Sequence, residues 1–168
     1  MIPSSSVTLS TFTWSNLPKN QGCELWRDGR PLGRLRRPSI WSSDYVAISG
    51  EKQWTFRRRG FWGNCSDIVD SDSQHAIATF TCSLAGRGTL TFSDGQKFDF
   101  VCHGLWRPVW SVTSEKGQVV LALHSRESFV EVTPDSGVPE SRLSLLALFA
   151  LYRVRQAEED AASAAIVA

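Results

Sequence analysis

Apolar and polar residues alternate with a period of two along most of this chain. In Thr89-Leu90-Thr91-Phe92 the apolar side chains fall on one face. In Gln96-Lys97-Phe98-Asp99-Phe100, Phe98 and Phe100 stand opposite Lys97 and Asp99, and in Gln53-Trp54-Thr55-Phe56-Arg57, Trp54 and Phe56 stand opposite Thr55 and Arg57. Such alternation predicts strands of a sheet with one buried and one wet face. Runs of this kind, rich in Val, Thr, Phe and Trp, predict about twelve strands. They lie near 7–15, 23–28, 30–36, 40–48, 53–59, 61–69, 75–84, 88–93, 96–102, 106–113, 118–124 and 127–132.

Turn chemistry separates the runs. Asp28-Gly29 and Asp94-Gly95 supply residues that tolerate the positive φ of two-residue hairpin loops. Ser49-Gly50-Glu51-Lys52 and Ser114-Glu115-Lys116-Gly117 read as slightly longer hairpin loops. Asp70–Ser73 and Ala85–Gly88 break the remaining runs. No longer linker interrupts them, so a single domain is expected over 7–162. A flexible Ser-rich start (1–6) precedes it and a tail (163–168) follows.

The pattern changes after residue 139. Leu143, Leu145, Leu146, Ala147, Leu148, Phe149, Ala150, Leu151 and Tyr152 form a run interrupted only by Ser144. Pro139 and Glu140 mark a start, Ser141 offers a cap, and good helix formers follow through Glu158, which predicts a helix over about 140–160. At 100° per residue, apolar positions in this run cover the whole circumference, so the helix is expected to be buried on every side. Ten residues span about 15 Å, half of a bilayer's roughly 30 Å hydrocarbon core. Arg153 and Arg155 then end the run. A helix encased by protein follows, and in one small β domain only a closed sheet encases a helix. About twelve strands make a barrel wide enough for it. The expected architecture is mainly β: an antiparallel closed barrel around an apolar C-terminal helix whose core is Leu143, Leu145, Leu146, Leu148, Phe149, Leu151 and Tyr152.

Composition sharpens this picture. The 168 residues include seven Trp and nine Phe, a supply of bulky side chains for lining such a barrel. Fourteen Arg stand against four Lys, yet the formal charge is only +1, too small for a general attraction to nucleic acid. The total hides a division. Residues 1–60 carry ten Lys/Arg and four Asp/Glu, a net of +6, and residues 61–168 carry eight and thirteen, a net of −5. Arginine is a planar fork suited to phosphate. In extended chain Arg34 and Arg36 share a face, as do Arg57 and Arg59. Arg34, Arg36, Arg37, Arg57, Arg58 and Arg59 are therefore the candidate residues for an anion or lipid head group. The alternative is a solvated barrel exterior with cross-strand ion pairs.

Catalytic and metal chemistry find little support. Cys23, Cys65, Cys82 and Cys102 are spaced 42, 17 and 20 residues apart, with no C-x-x-C pair. The first residues show no secretory signal, so a cytoplasmic setting with reduced thiols is expected, extending to peripheral contact with the inner membrane surface. Asp70-Ser71-Asp72 begins like a calcium loop, but His75 and Thr81 occupy the positions that require Gly and Glu. His75, His103 and His124 are scattered, and neither a phosphate-binding glycine loop nor a nucleophile elbow occurs. No catalytic residue, metal or cofactor is expected.

The order of parts resembles the tubby C-terminal-like superfamily, which includes tubby proteins, phospholipid scramblases and LURP-one-related proteins. The resemblance runs from Trp41 to Arg155, through Tyr45-Val-Ala-Ile, Trp54-Thr-Phe, Phe61-Trp62, Ile68-Val-Asp70, the Leu90–Phe100 hairpin, Trp106-Arg-Pro-Val-Trp110 and the Leu143–Val154 helix. An earlier hairpin is supplied by Glu24-Leu-Trp-Arg-Asp-Gly29. It implies a barrel with a central helix and a non-enzymatic adaptor that meets phosphoinositide-like head groups or a protein partner at a membrane surface. The Cys cluster of scramblases is missing, and Asp135–Glu140 holds two carboxylates, so the resemblance carries the fold further than the scrambling. The alternatives are a calycin-like carrier barrel with an empty lumen for a small apolar ligand, and a scramblase-like membrane-associated protein.

Overall fold

A computed structural model of the chain describes residues 10–60, 65–83 and 87–167. Twelve strands follow one another: β1 (Ser10–Asn16), β2 (Gly22–Arg27), β3 (Arg30–Arg36), β4 (Tyr45–Ser49), β5 (Lys52–Arg59) and β6 (Cys65–Asp70). They continue as β7 (Ala76–Cys82), β8 (Arg87–Phe92), β9 (Lys97–His103), β10 (Val109–Ser114), β11 (Val119–His124) and β12 (Phe129–Val132). A single helix, α1 (Glu140–Val167), ends the chain. Each strand pairs antiparallel with its neighbours in sequence, and β1 pairs with β12 in the register Ser10↔Val132 to Thr13↔Phe129. The sheet is thereby a closed barrel with no free edge.

This up-and-down order fixes two rims. Connections from even to odd strands, and the segment leading to α1, lie at one rim, where the helix begins. Connections from odd to even strands lie at the other, where the helix leaves. We call these the start rim and the exit rim.

Alternation sends one face of every strand inward. Phe12, Leu25, Leu35, Ala47, Phe56, Ile68, Phe80, Leu90, Phe100, Val112, Leu123 and Val130 are all buried in one cluster with Leu145–Tyr152 of α1. Phe149 stands at its centre, its ring 5.3 Å from Phe56, 5.4 Å from Phe80 and 5.5 Å from Phe100, mostly edge-to-face. Such aromatic pairs contribute beyond the area they bury. The helix comes close to β3 because Gly33 lacks a side chain. A Cβ there would lie 2.9 Å from the Ile48 carbonyl oxygen and 3.0 Å from Leu148 Cδ1.

Several expected boundaries shift. The helix runs to Val167, past residue 160, because Ala-rich sequence sustains it outside the barrel. Ser141 lies within its first turn and does not cap it, since the Pro139 carbonyl accepts from Arg142 and Leu143 N–H. Ser144 through Tyr152 are buried without a break, whereas Leu143 is half-buried. The strands expected to begin at 40 and 106 begin at Tyr45 and Val109. The apolar residues before them stand on loops instead. The expected flexible start, residues 7–9 of the first strand and 61–64 of the sixth lie outside the described residues.

Candidate anion-binding cleft

The six candidate arginines separate into two groups. On β5, Arg57 and Arg59 point outward and Arg58 points toward the helix. All three are paired. Arg57 Nε lies 3.3 Å from Asp44, and Arg59 contacts Asp67 at 2.5 and 2.9 Å. Arg58 forms a two-pronged pair with Asp160 of α1, at 3.0 and 3.1 Å. This tract therefore serves the wall and the helix end.

Arg34, Arg36 and Arg37 have a different setting. With Lys19 they line a cleft of about 430 Å³ between the β1–β2 connection (Leu17–Gln21) and the start of the β3–β4 connection (Arg37–Ile40). Four cations line it, and no carboxylate does. Arg34 Nη2 donates to Glu24 at 2.7 Å, and Arg37 Nη1 lies 3.3 Å from Glu159. Among the described residues Arg36 forms no ion pair and is exposed. The backbone sets this geometry. Gly22 sits opposite Arg36 at φ +143, where an added Cβ would fall 1.9 Å from the Leu35 carbonyl oxygen. The β2–β3 ladder then extends to the Arg37 N–H, which donates to the Gln21 carbonyl at 2.8 Å. Lys19 and Asn20 both take φ of 57, a left-handed conformation that costs a lysine about 1–2 kcal/mol. Strain of this kind is concentrated at functional sites.

Lys19 carried no signal in the sequence. It is an isolated cation, and only the pairing of β1, β2 and β3 side by side brings it to the arginines. Arg37 was legible, but its partner was not. Its Nε donates to the Ser42 carbonyl at 2.6 Å, which folds the β3–β4 connection back over the rim. Tyr45 donates its hydroxyl to the same Glu159 at 2.7 Å. Burial first, then that bond, hold its phenol protonated well above the ordinary range.

The remaining candidates stay apart. His75 lies in the β6–β7 turn of the start rim, His103 ends β9, and His124 stacks on Phe129 at 4.2 Å. Among the described residues no three His, Cys, Asp or Glu side chains group in a manner suited to a metal ion. Asp70 is the acceptor of a turn, bonded by Ser73 N–H at 2.8 Å and Asp72 N–H at 3.1 Å, and these bonds hold its carboxyl below the usual range. The four cysteines are free thiols. The axis that a carrier barrel keeps for its ligand is filled by α1, and no helix among the described residues is long and apolar enough to cross a membrane. Comparison with protein-family models, with curated proteins and with solved structures gives no match.

Proposed function

We propose that the chain is a non-enzymatic binding module of tubby-like type whose exit-rim cleft receives the phosphate of an anionic head group. One observation carries the reading: Lys19, Arg34, Arg36 and Arg37 line one cleft that no carboxylate lines. Arginine forks and a lysine point charge are the donors that phosphate recognition uses. The strained Lys19-Asn20 backbone and the unpaired Arg36 fit a site built for an external anion better than a wall built for itself. Titration with soluble inositol phosphates, followed by amide chemical shifts, tests it. Arg36→Ser and Lys19→Ser should each weaken binding roughly tenfold or more, the worth of about one charge-assisted hydrogen bond. Unchanged affinity in both variants, or shifts confined to other arginines, overturns the reading.

A further inference from the structure

Among the described residues, Ile40, Trp41, Leu105 and Trp106 are the large apolar side chains that stand 74–93% exposed on loops of the barrel. Single exposed apolar residues are ordinary. These four form two pairs, each at a loop tip, and both loops belong to the exit rim. Ile40-Trp41 sits on the β3–β4 connection and Leu105-Trp106 on the β9–β10 connection. The two connections are six strands apart in a ring of twelve, hence on opposite sides. Strands about 4.8 Å apart, tilted about 40°, close such a ring at a diameter of about 24 Å. The helix emerges between them.

Charge follows the same axis. The start-rim connections carry Asp28, Glu51, Asp72, Asp94, Glu115 and Asp135 against Lys116 alone. Described exit-rim connections carry Lys19, Arg37, Arg107 and Arg126 against Asp44 and Glu127. On the emerging helix Glu158 pairs with Arg155 and Asp160 with Arg58, while Glu159 takes up Arg37 of the rim itself. This leaves Lys19, Arg107 and Arg126 against Asp44 and Glu127, with Arg36 at the end of β3 free of any ion pair among the described residues. The rim that bears the aromatic tips is thus the one an anionic surface attracts.

We propose that the exit rim docks end-on into the interface of an anionic bilayer, with Trp41 and Trp106 immersed at head-group depth on opposite sides of the helix. This rests on the head-group reading of the cleft, and adds the orientation and the apolar half of the contact. Tryptophan favours that depth because its ring is apolar and its N–H is wet, and the exposed Arg107 beside Trp106 snorkels to phosphate. A standard protein interface is wide enough to cover both tips, so charge selects the partner. A flat anionic surface meets both tips and the rim's cations at once, and residues 161–167 of the helix, which carry no charged side chain, enter between them.

Vesicles of phosphatidylcholine with phosphatidylserine, a fraction of the lipid carrying brominated acyl chains, test this on the full chain. Tryptophan emission should be quenched, Trp41→Ser and Trp106→Ser should each remove part of the quenching and weaken partition roughly tenfold, about 1.4 kcal/mol. Both positions are exposed, so thermal melting should be unchanged, and Trp41→Phe should retain most of the partition. Vesicle binding without quenching, equal in both serine variants, overturns insertion and leaves the head-group cleft standing. Inositol phosphate binding without vesicle binding does the same. Binding of neither overturns both readings. Trp-dependent self-association in place of vesicle binding overturns the membrane as partner.

Discussion

The thiol of Cys23 lies on the inward face of β2, only 1% exposed. Burial pushes its pKa up to about 11, a rise that the nearby Arg155 guanidinium only partly offsets. A thiol that is harder to ionise when folded contributes stability that is complete below the unfolded value, near 9, and is lost as pH climbs toward 11. The full span corresponds to about 2–3 kcal/mol. Guanidinium midpoints should therefore fall between pH 9 and 11, and Cys23→Ala should flatten that part of the profile. Equal slopes in the two proteins would remove Cys23 as the source. Tyr152, deeper still, is a buried polar group with partners. Its hydroxyl lies 3.2 Å from Ser66 Oγ and accepts from Gln156 Nε2 at 2.6 Å, and Gln156 in turn accepts from Arg153 at 2.5 Å. Arg153 also lies over the Phe80 ring, 4.6 Å from its centroid, so this short polar chain ends in a stacked cation below the exit rim.

At the scale of elements, β8, β7 and the helix fit closely through one aromatic cluster. A Cβ on Gly88 would fall 2.1 Å from Phe80 Cζ, and that ring packs on both Phe100 and Phe149. Gly88→Ala must push an aromatic cluster against the helix, so a loss of about 1–3 kcal/mol is expected from urea midpoints. Gly95→Ala has open space but φ +91, and its cost is one of backbone alone. The contrast between them separates packing from conformation. The strands were legible because inward Phe, Leu and Val recur every second residue, and the helix because its apolar run ignores that period. Residues 40–44 and 106–108 misled for the same reason. Ile40, Trp41 and Trp106 are strand-forming types, and nothing local says that no wall receives them. The ion pairs Arg37–Glu159 and Arg58–Asp160 join residues more than a hundred apart. With Arg27–Glu140 and Arg59–Asp67 they are the ion pairs that cross the +6/−5 division of the chain among the described residues, and only the folded barrel reveals them. The cleft was half legible, through Arg34, Arg36 and Arg37 but without Lys19.

For the whole molecule, the decisive contacts are the latest in the chain. The ring closes only when β1 meets β12, with Phe12 opposite Val130, and the core is complete only when α1 occupies the axis. Ion pairs fasten the helix at both rims: Arg27 with Glu140 and Arg142 with Asp94 at its start, Arg37 with Glu159 and Arg58 with Asp160 at its exit. Exposed pairs of this kind contribute at most about 1 kcal/mol each, so they set the helix's depth more than its stability. Stability comes from burying Leu145–Tyr152 against the wall. A wall about 24 Å across has no way to fill itself from Phe and Leu side chains alone. A chain ending at Pro139 should consequently lose its cooperative unfolding transition and its near-ultraviolet aromatic signal, and expose apolar surface that binds a hydrophobic dye. In the full chain, far-ultraviolet and near-ultraviolet transitions in urea should coincide, as one unit requires. A truncated chain that still melts cooperatively would mean that the twelve strands close on one another and the helix is a later occupant of a preformed lumen. That is a different kind of barrel, because its axis would then be a place that something else could fill.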